Sequence, residues 1–278
     1  MFSYGFRPVS LSSQRLSGDP RALAELLRTG LFRRAPAEAP GRQDAARPLS
    51  IGVPALDLAL GGGLMRGQLH EIVAPPSAGG TALFRAALAA ATRAGELCAL
   101  IDPADAFEPG GAAAAGIDLR RLLWVRPKAI AQALRCAEIA LESRFSLVAI
   151  DLGDFPPTPA PAPRGVHLVR TAAGRKADRP GSSPWARLAR RAEKHGGALL
   201  VLSRAAQAGA FAAATVELSR AQPRWEGSPG TPGRLLSAGA ALGAVARSRR
   251  GPPSGPLLLH LPHAAHGGED GPSGKDAE

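Results

Sequence analysis

Short apolar runs alternate with amphipathic stretches over most of the chain. Apolar runs predict strands at 68–73, 97–102, 122–125, 146–151 and 198–202. Between them, apolar residues at helical spacing predict helices at 81–95, 129–143 and 183–195, the last one capped by a serine at 182 or 183. Strands that alternate with helices indicate βαβ units, so the pattern predicts an α/β fold with a mostly parallel sheet.

The two ends of the chain follow other patterns. Asp19 as N-cap and Pro20 as the first helical residue precede leucines at helical spacing, which predicts a helix over 20–32. A short helix over 54–60 is predicted to open the core, and three consecutive glycines end it. Runs at 213–218, 235–245 and 257–261 have no helix between them, which predicts three strands that extend the sheet in the antiparallel sense.

The apolar pattern also divides the chain into segments. Residues 1–48 are predicted to be a polar tail that carries the helix over 20–32 and then an Arg-, Ala- and Pro-rich linker. Residues 49–262 form the core, and 263–278 are a polar tail predicted to be disordered. Because no second periodic block follows the core, we expect one domain.

Charge and cysteine content narrow the class of protein. The net charge is +11, with 34 basic residues that are nearly all arginine against 23 acidic ones, so a polyanionic partner is one explanation and a G+C-rich genome is another. Cys98 and Cys136 lie in apolar contexts, which suits buried thiols in a reducing cytosol and excludes a disulfide framework. With neither a signal peptide nor an apolar run of about 20 residues, we expect a cytoplasmic protein that does not bind a membrane.

A candidate phosphate-binding loop lies between the strand at 68–73 and the following helix. Such a loop reads G-x-x-x-x-G-K-[ST], because glycines let backbone N–H groups face phosphate, lysine neutralises its charge and the hydroxyl holds Mg²⁺. In segment 74–81, Gly79 and Thr81 match, whereas Ala74 replaces the first glycine and Gly80 replaces the lysine. A plain tight turn would also have this form.

A second candidate group supports the first. Asp151 ends an apolar strand in the manner of a Walker B aspartate that holds Mg²⁺, although a cap of the following loop is the structural alternative. The candidate nucleotide-binding residues, a degenerate set, are Ala74, Ser77, Gly79, Gly80, Thr81 and Asp151, with Thr81 and Asp151 as candidate metal ligands. ATP and Mg²⁺ are the implied cofactors, held weakly or not at all. Nothing in the sequence brings a substitute cation such as Lys128 to the loop.

With these motifs in place, the chain resembles the bacterial RecA recombinases. The resemblance rests on 49–64, 67–72, 100–103, 107–109, 116–118 and 122–123, and extends more weakly to about 262. It implies a three-layer P-loop NTPase core. It also implies that Arg247 and Arg249 match basic residues that contact nucleotide across a filament interface, and that 164–179 takes the place of a first DNA-binding loop. The basic residues of that segment are Arg164, Arg170, Arg175, Lys176 and Arg179; a solvated loop is the alternative.

The departures from RecA determine the expected function. Ala104, with Asp105 beside it, stands where RecA has a glutamate that activates the attacking water. Ser203 and Arg204 take the place of a glutamine that senses nucleotide in RecA. The second DNA-binding loop is largely deleted. This pattern is similar to ImuA-type accessory proteins of SOS mutagenesis. That family implies a non-catalytic protein in translesion synthesis that binds DNA, RecA or a Y-family polymerase, and a homo-oligomer stays open. A divergent ATP-dependent recombinase and a regulator that binds nucleotide without hydrolysis are the alternatives.

Overall fold

A computed structural model describes residues 19–28, 47–153, 183–220, 225–226, 234–235 and 240–261. Its elements follow the hydrophobic pattern closely. The helices are α1 (Pro20–Arg28), α2 (Pro54–Ala59), α3 (Gly80–Arg93), α4 (Pro109–Ala114), α5 (Ile130–Glu142) and α6 (Pro184–His195). The strands are β1 (Leu69–Val73), β2 (Cys98–Ile101), β3 (Leu122–Val125), β4 (Leu147–Asp151), β5 (Ala198–Ser203), β6 (Ala214–Ser219), β7 (Trp225–Glu226), β8 (Arg234–Leu235), β9 (Ala240–Ser248) and β10 (Leu257–His260).

The main sheet has eight strands in the order β10-β9-β6-β1-β5-β4-β2-β3. Strands β1 to β6 run parallel, β9 pairs antiparallel with β6, and β10 pairs antiparallel with β9. We call the edge where β1 to β6 end the carboxyl edge, and the opposite one the amino edge. The carboxyl edge of a parallel sheet is where ligands bind in α/β proteins.

Helices cover both faces of the sheet, which gives the three predicted layers. Apolar side chains of α2, α3 and α4 pack on one face, and those of α1, α5 and α6 pack on the other. Leu23 of α1 is buried against the second face. The N-terminal helix therefore docks on the core of its own chain.

The predicted start of α6 is confirmed by its cap. Ser183 Oγ accepts a hydrogen bond from the backbone N–H of Trp185, and Pro184 is the first helical residue. Both cysteines are free and buried, as expected. Burial raises the pKa of Cys136 to about 11, so this thiol stays protonated at neutral pH.

The C-terminal strands differ from the prediction in two respects. The first of the three, β6, pairs parallel with β1, because the ten residues after β5 cross from the carboxyl to the amino edge without an α-helix. Only β9 and β10 are antiparallel. The run predicted as one strand over 235–245 is also wrong in extent, since Arg234–Leu235 pairs with Trp225–Glu226 in a separate hairpin and β9 begins at Ala240.

A buried glutamate holds the helix-free crossover in place. Glu71 on β1 is 1% exposed, and its Oε1 accepts hydrogen bonds from the backbone N–H groups of Gln207 and Ala208. Burial raises the pKa of Glu71, although these two hydrogen bonds oppose the shift. Neighbouring His70 is buried too, and burial lowers its pKa to about 4, so it is neutral at pH 7. Glu71 thus ties the central strand to the segment that carries the chain towards β6.

Several predicted features lie outside the described residues. They are the tail before residue 19, helix residues 29–32, the linker that follows, the segment 164–179 and the C-terminal tail. Among the described helices, none is long and apolar enough to cross a membrane.

Candidate functional site

The candidate phosphate loop lies at the carboxyl edge, in the predicted position between β1 and α3. Ser77 and Gly79 have left-handed backbone conformations, with φ of +62° and +87°, and Gly79 is the N-cap of α3. The backbone N–H of Ala78 donates to the carbonyl of Pro75 at 3.2 Å. The loop thus keeps a strand–turn–helix path at the edge where ligands bind.

The two departures from the motif face each other inside this loop. A Cβ atom added at Gly80 would lie 2.5 Å from the Cβ of Ala74 and 3.1 Å from Cδ1 of Leu202. Ala74 and Leu202 are both buried. The methyl group that replaces the first glycine therefore occupies the space that any side chain at the lysine position would need.

Apolar side chains also close the loop from the C-terminal extension of the sheet. A Cβ atom at Gly79 would lie 2.8 Å from Cδ1 of Leu261 and 3.1 Å from the Cβ of Ala241. Both of these residues are buried in the same cluster as Ala74 and Ala78. The start of α3 is thus packed against β9 and the end of β10.

Asp151 and Thr81, the candidate metal ligands, share the carboxyl edge, but their surroundings differ. Thr81 is exposed, whereas Asp151 is half-buried at the end of β4 and its Oδ1 accepts a hydrogen bond from the backbone N–H of Gly153 at 2.9 Å. This hydrogen bond matches the loop-cap alternative for Asp151. Within the described part of the chain, no three His, Cys, Asp or Glu residues are grouped closely enough to hold a metal ion.

The end of β2, where RecA has its water-activating glutamate, carries a packed aromatic cluster. Asp102 is 1% exposed and accepts three hydrogen bonds, from the backbone N–H groups of Ala106 and Phe107 and from the indole N–H of Trp124. The rings of Phe107 and Trp124 meet edge to face at 5.3 Å. The Asp102 carboxylate therefore binds groups of the fold itself, two backbone N–H groups and one indole N–H.

The neighbouring carboxylate, Asp105, is held by a cation. Arg126 Nη1 lies 3.1 Å from both Asp105 oxygens, and its guanidinium stacks 4.7 Å from the centre of the Trp124 ring. Ala104 offers no carboxylate. Asp105, the acid beside the position of the missing glutamate, is therefore paired on the surface of the aromatic cluster.

The sequence places no substitute cation such as Lys128 at the loop, and the strand order shows that Lys128 lies far from it. Lys128 follows β3, and β3 is four strand spacings from β1, or about 19 Å at about 4.8 Å per spacing. Among the described residues, Arg220 is a cation that the fold brings to the loop, with Nε donating to the carbonyl of Pro76 at 3.0 Å. Sequence reasoning missed Arg220, because its position follows only from the parallel pairing of β6 with β1.

Arg247 and Arg249 lie at the amino edge, away from their own phosphate loop. Arg247 Nη1 donates to the carbonyl of Gly209 at 2.6 Å, and Arg249 Nη2 donates to that of Ala210 at 3.0 Å. Both guanidiniums thus hold the 3₁₀ turn Gly209–Phe211. At the other edge, Ser203 Oγ donates to the carbonyl of Ala205, so the position of the sensing glutamine is a buried serine.

Comparisons with known proteins show what the chain is similar to. Residues 41–153 match the RecA N-terminal domain. This first part of the core is thus similar to RecA. RecA of Gluconacetobacter polyoxogenes is 44% identical over 96 residues, which are 34% of this chain and 28% of that protein. RecA of Leifsonia xyli subsp. xyli is 39% identical over 142 residues, or 50% of this chain and 34% of that protein.

A solved structure extends the similarity in fold beyond the matched segment. The RadB recombinase superposes with a TM-score of 0.50 at 18% sequence identity, covering 76% of this chain and 94% of that one. At this identity the likeness concerns the fold. This chain matches about a third or less of the length of these RecA proteins. The similarity therefore concerns part of the core and does not by itself establish an activity.

Proposed function

We propose that this chain is a non-catalytic RecA-like accessory protein of DNA repair. The observation that carries the proposal is the contact between positions 74 and 80, where the methyl group of Ala74 excludes any side chain at Gly80. A phosphate loop without its lysine lacks the cation that stabilises charge during phosphoryl transfer. Leu261 also packs against the loop, so buried residues of the core hold the loop in the form that lacks a lysine.

The cluster at the end of β2 supports the same conclusion. In the RecA pattern a carboxylate activates the attacking water, and a general base of this kind contributes about 10²- to 10⁴-fold in rate. Asp102 has three hydrogen bonds, and Asp105 is paired with Arg126. Both carboxylates near this position therefore already have partners within the fold, which supports the non-catalytic proposal.

The proposed setting and partners follow from the resemblances. Similarity to RecA supports a role in DNA recombination or repair, and resemblance to ImuA-type proteins adds the SOS response, translesion synthesis and a RecA or Y-family polymerase partner. DNA is the second proposed partner, with self-association as a third contact. We propose that the protein acts in the cytoplasm.

One observation favours the alternative of a divergent ATP-dependent recombinase. Arg220 lies beside the loop, and α3 begins there with its N-terminal N–H groups at the carboxyl edge. A guanidinium and a helix N-terminus both attract phosphate. Under this alternative, Asp151 would hold Mg²⁺ together with Thr81.

Steady-state ATP hydrolysis separates the two functions. With Mg²⁺ and single-stranded DNA present, we expect no turnover above that of the Asp151→Ala variant, because the loop lacks its lysine at Gly80 and the attacking water lacks a free carboxylate base. The measurement is phosphate release by the purified full chain, with equilibrium dialysis of ATP as a second readout. Turnover that Asp151→Ala abolishes would overturn the non-catalytic proposal, whereas weak ATP binding without turnover would leave it standing.

A salt titration tests the proposed DNA contact of the segment 164–179. Exchanging Arg175, Lys176 and Arg179 for Ala is expected to weaken binding of an oligo-dT strand and to reduce the slope of log K against log salt by about 2, since each lost phosphate contact removes about 0.7. Three exposed arginines elsewhere, Arg93, Arg120 and Arg144, provide the matched control. An unchanged slope in the first variant contradicts the DNA contact.

A further inference from the structure

A cleft of about 510 Å³ opens at the amino edge of the sheet, on the opposite side from the phosphate loop. Its walls are α6, the start of β1, the turn Gly209–Phe211 and Arg249. The volume falls within the range of about 300–1,000 Å³ that is typical of ligand-binding clefts. The candidate nucleotide residues take no part in it.

One wall of the cleft is fixed by the arginines that follow β9. The backbone N–H of Arg249 donates to the carbonyl of Ala213 at 2.9 Å, and its Nη2 donates to that of Ala210. With Arg247 on Gly209, the two guanidiniums thus bind two carbonyl groups of the turn, those of Gly209 and Ala210. They fix Phe211, which remains 38% exposed and lines the cleft.

The opposite wall is the outer face of α6, which presents charges of both signs. Arg190 is exposed and forms no hydrogen bond or ion pair with the described residues, and Glu193 is exposed almost one turn later. Arg66 also lines the cleft, but its guanidinium is paired with Glu96. The charges left for a ligand are therefore the cations Arg190 and Arg249 and the anion Glu193.

We propose that this cleft binds a short acidic segment of a protein partner, in which carboxylate side chains flank an apolar one. Arg190 and Arg249 would each take a carboxylate, and the apolar residue would cover Phe211 and Ala189. Arginine and aromatic residues are the side chains that dominate the energy of protein interfaces. The inference rests on the proposed accessory function, since it names a surface for its partner.

The charges favour a peptide over a nucleic acid strand. A strand brings a continuous row of phosphates, and part of that row would lie against Glu193, which repels it. Separate carboxylates can approach the two arginines and avoid Glu193. Charge complementarity thus selects spaced acidic residues.

The test uses the full chain and four pools of fluorescein-labelled decapeptides, followed by fluorescence anisotropy. In one pool acidic residues flank leucine, in the second lysines flank leucine, in the third acidic residues flank serine, and the fourth is uncharged. We expect the acidic-leucine pool to bind most tightly. R190E, R249E and F211A should each weaken it by about tenfold. R144E changes an exposed arginine outside the cleft and should leave binding unchanged.

R190E is the cleanest variant, because Arg190 supports no described contact and its loss should not affect folding. If the cleft selects by charge, R190E should shift preference from the acidic towards the lysine pool. Equal binding of all pools, no binding by the wild-type chain, or tighter binding of an oligo-dT strand that R190E weakens would overturn the proposal. None of these results would change the outcome of the ATPase test. Turnover that depends on Asp151 would overturn the accessory function, but it would not affect peptide binding by the cleft.

Discussion

Glu71→Ala is expected to lower the free energy of unfolding by about 3–5 kcal/mol, since each buried donor left without an acceptor costs about 1–3 kcal/mol. The substitution removes the acceptor of two backbone N–H groups, those of Gln207 and Ala208, at a site that is 1% exposed. It also leaves a cavity beside β1. Urea denaturation followed by circular dichroism would measure the loss.

Two controls make this prediction specific. Glu217→Ala removes an exposed carboxylate from the neighbouring strand β6 and should change the free energy by less than about 0.5 kcal/mol. Glu71→Gln keeps Oε1 as an acceptor and should cost less than Glu71→Ala. A loss below about 1 kcal/mol for Glu71→Ala would show that the crossover does not depend on this carboxylate.

The pH dependence of Glu71 has a definite sign. Because burial raises its pKa above the ordinary value of 4.5, the folded state favours the protonated carboxyl. Its contribution to stability is fully present below pH 4.5 and is lost as pH rises through the raised pKa. The difference in stability between wild type and Glu71→Gln should therefore be most favourable to wild type at the acid end of this window and should decline above it.

Restoring a lysine to the phosphate loop is expected to damage the fold. Gly80→Lys should lower the free energy of unfolding by about 2–3 kcal/mol, because overpacking of a close-packed core costs about 1–3 kcal/mol and Cβ alone would lie 2.5 Å from that of Ala74. Gly80→Ala tests the same contact with one added methyl group. Gly251→Lys is the matched control, since nothing lies within 4 Å of a Cβ there.

Removing the opposing methyl group should recover part of this loss. In the double variant Ala74→Gly with Gly80→Lys, we expect a favourable coupling of about 1 kcal/mol or more, because neighbouring residues that share a space are non-additive. Turnover should stay absent, since the cluster of Asp102, Trp124 and Arg126 is unchanged. Additive effects would mean that positions 74 and 80 changed independently, and recovered turnover would mean that the lysine alone was missing.

The part of this site that can be predicted from the sequence is the part that depends on consecutive residues. The loop from Ala74 to Thr81 could be located because a strand, a turn with Gly79 and a helix are consecutive in sequence. The buried carboxylates could not be assigned roles in this way. Asp102 and Glu71 bind groups that lie up to 137 positions away, such as Ala208, and periodicity carries no information about such pairs.

By itself, the sequence determined the α/β class, nearly all strands and helices of the core, and the absence of lysine from the loop. These follow from local chemistry, namely apolar periodicity, helix caps and a short motif. Only the tertiary structure decided which side chains fill the space at the position of the missing lysine. Strand β5 brings Leu202, and the end of β10 brings Leu261, against the turn that Ala74 already fills. Strand order sets these contacts, and because order depends on how distant segments pack, the sequence pattern could predict the strands but not the packed loop between them.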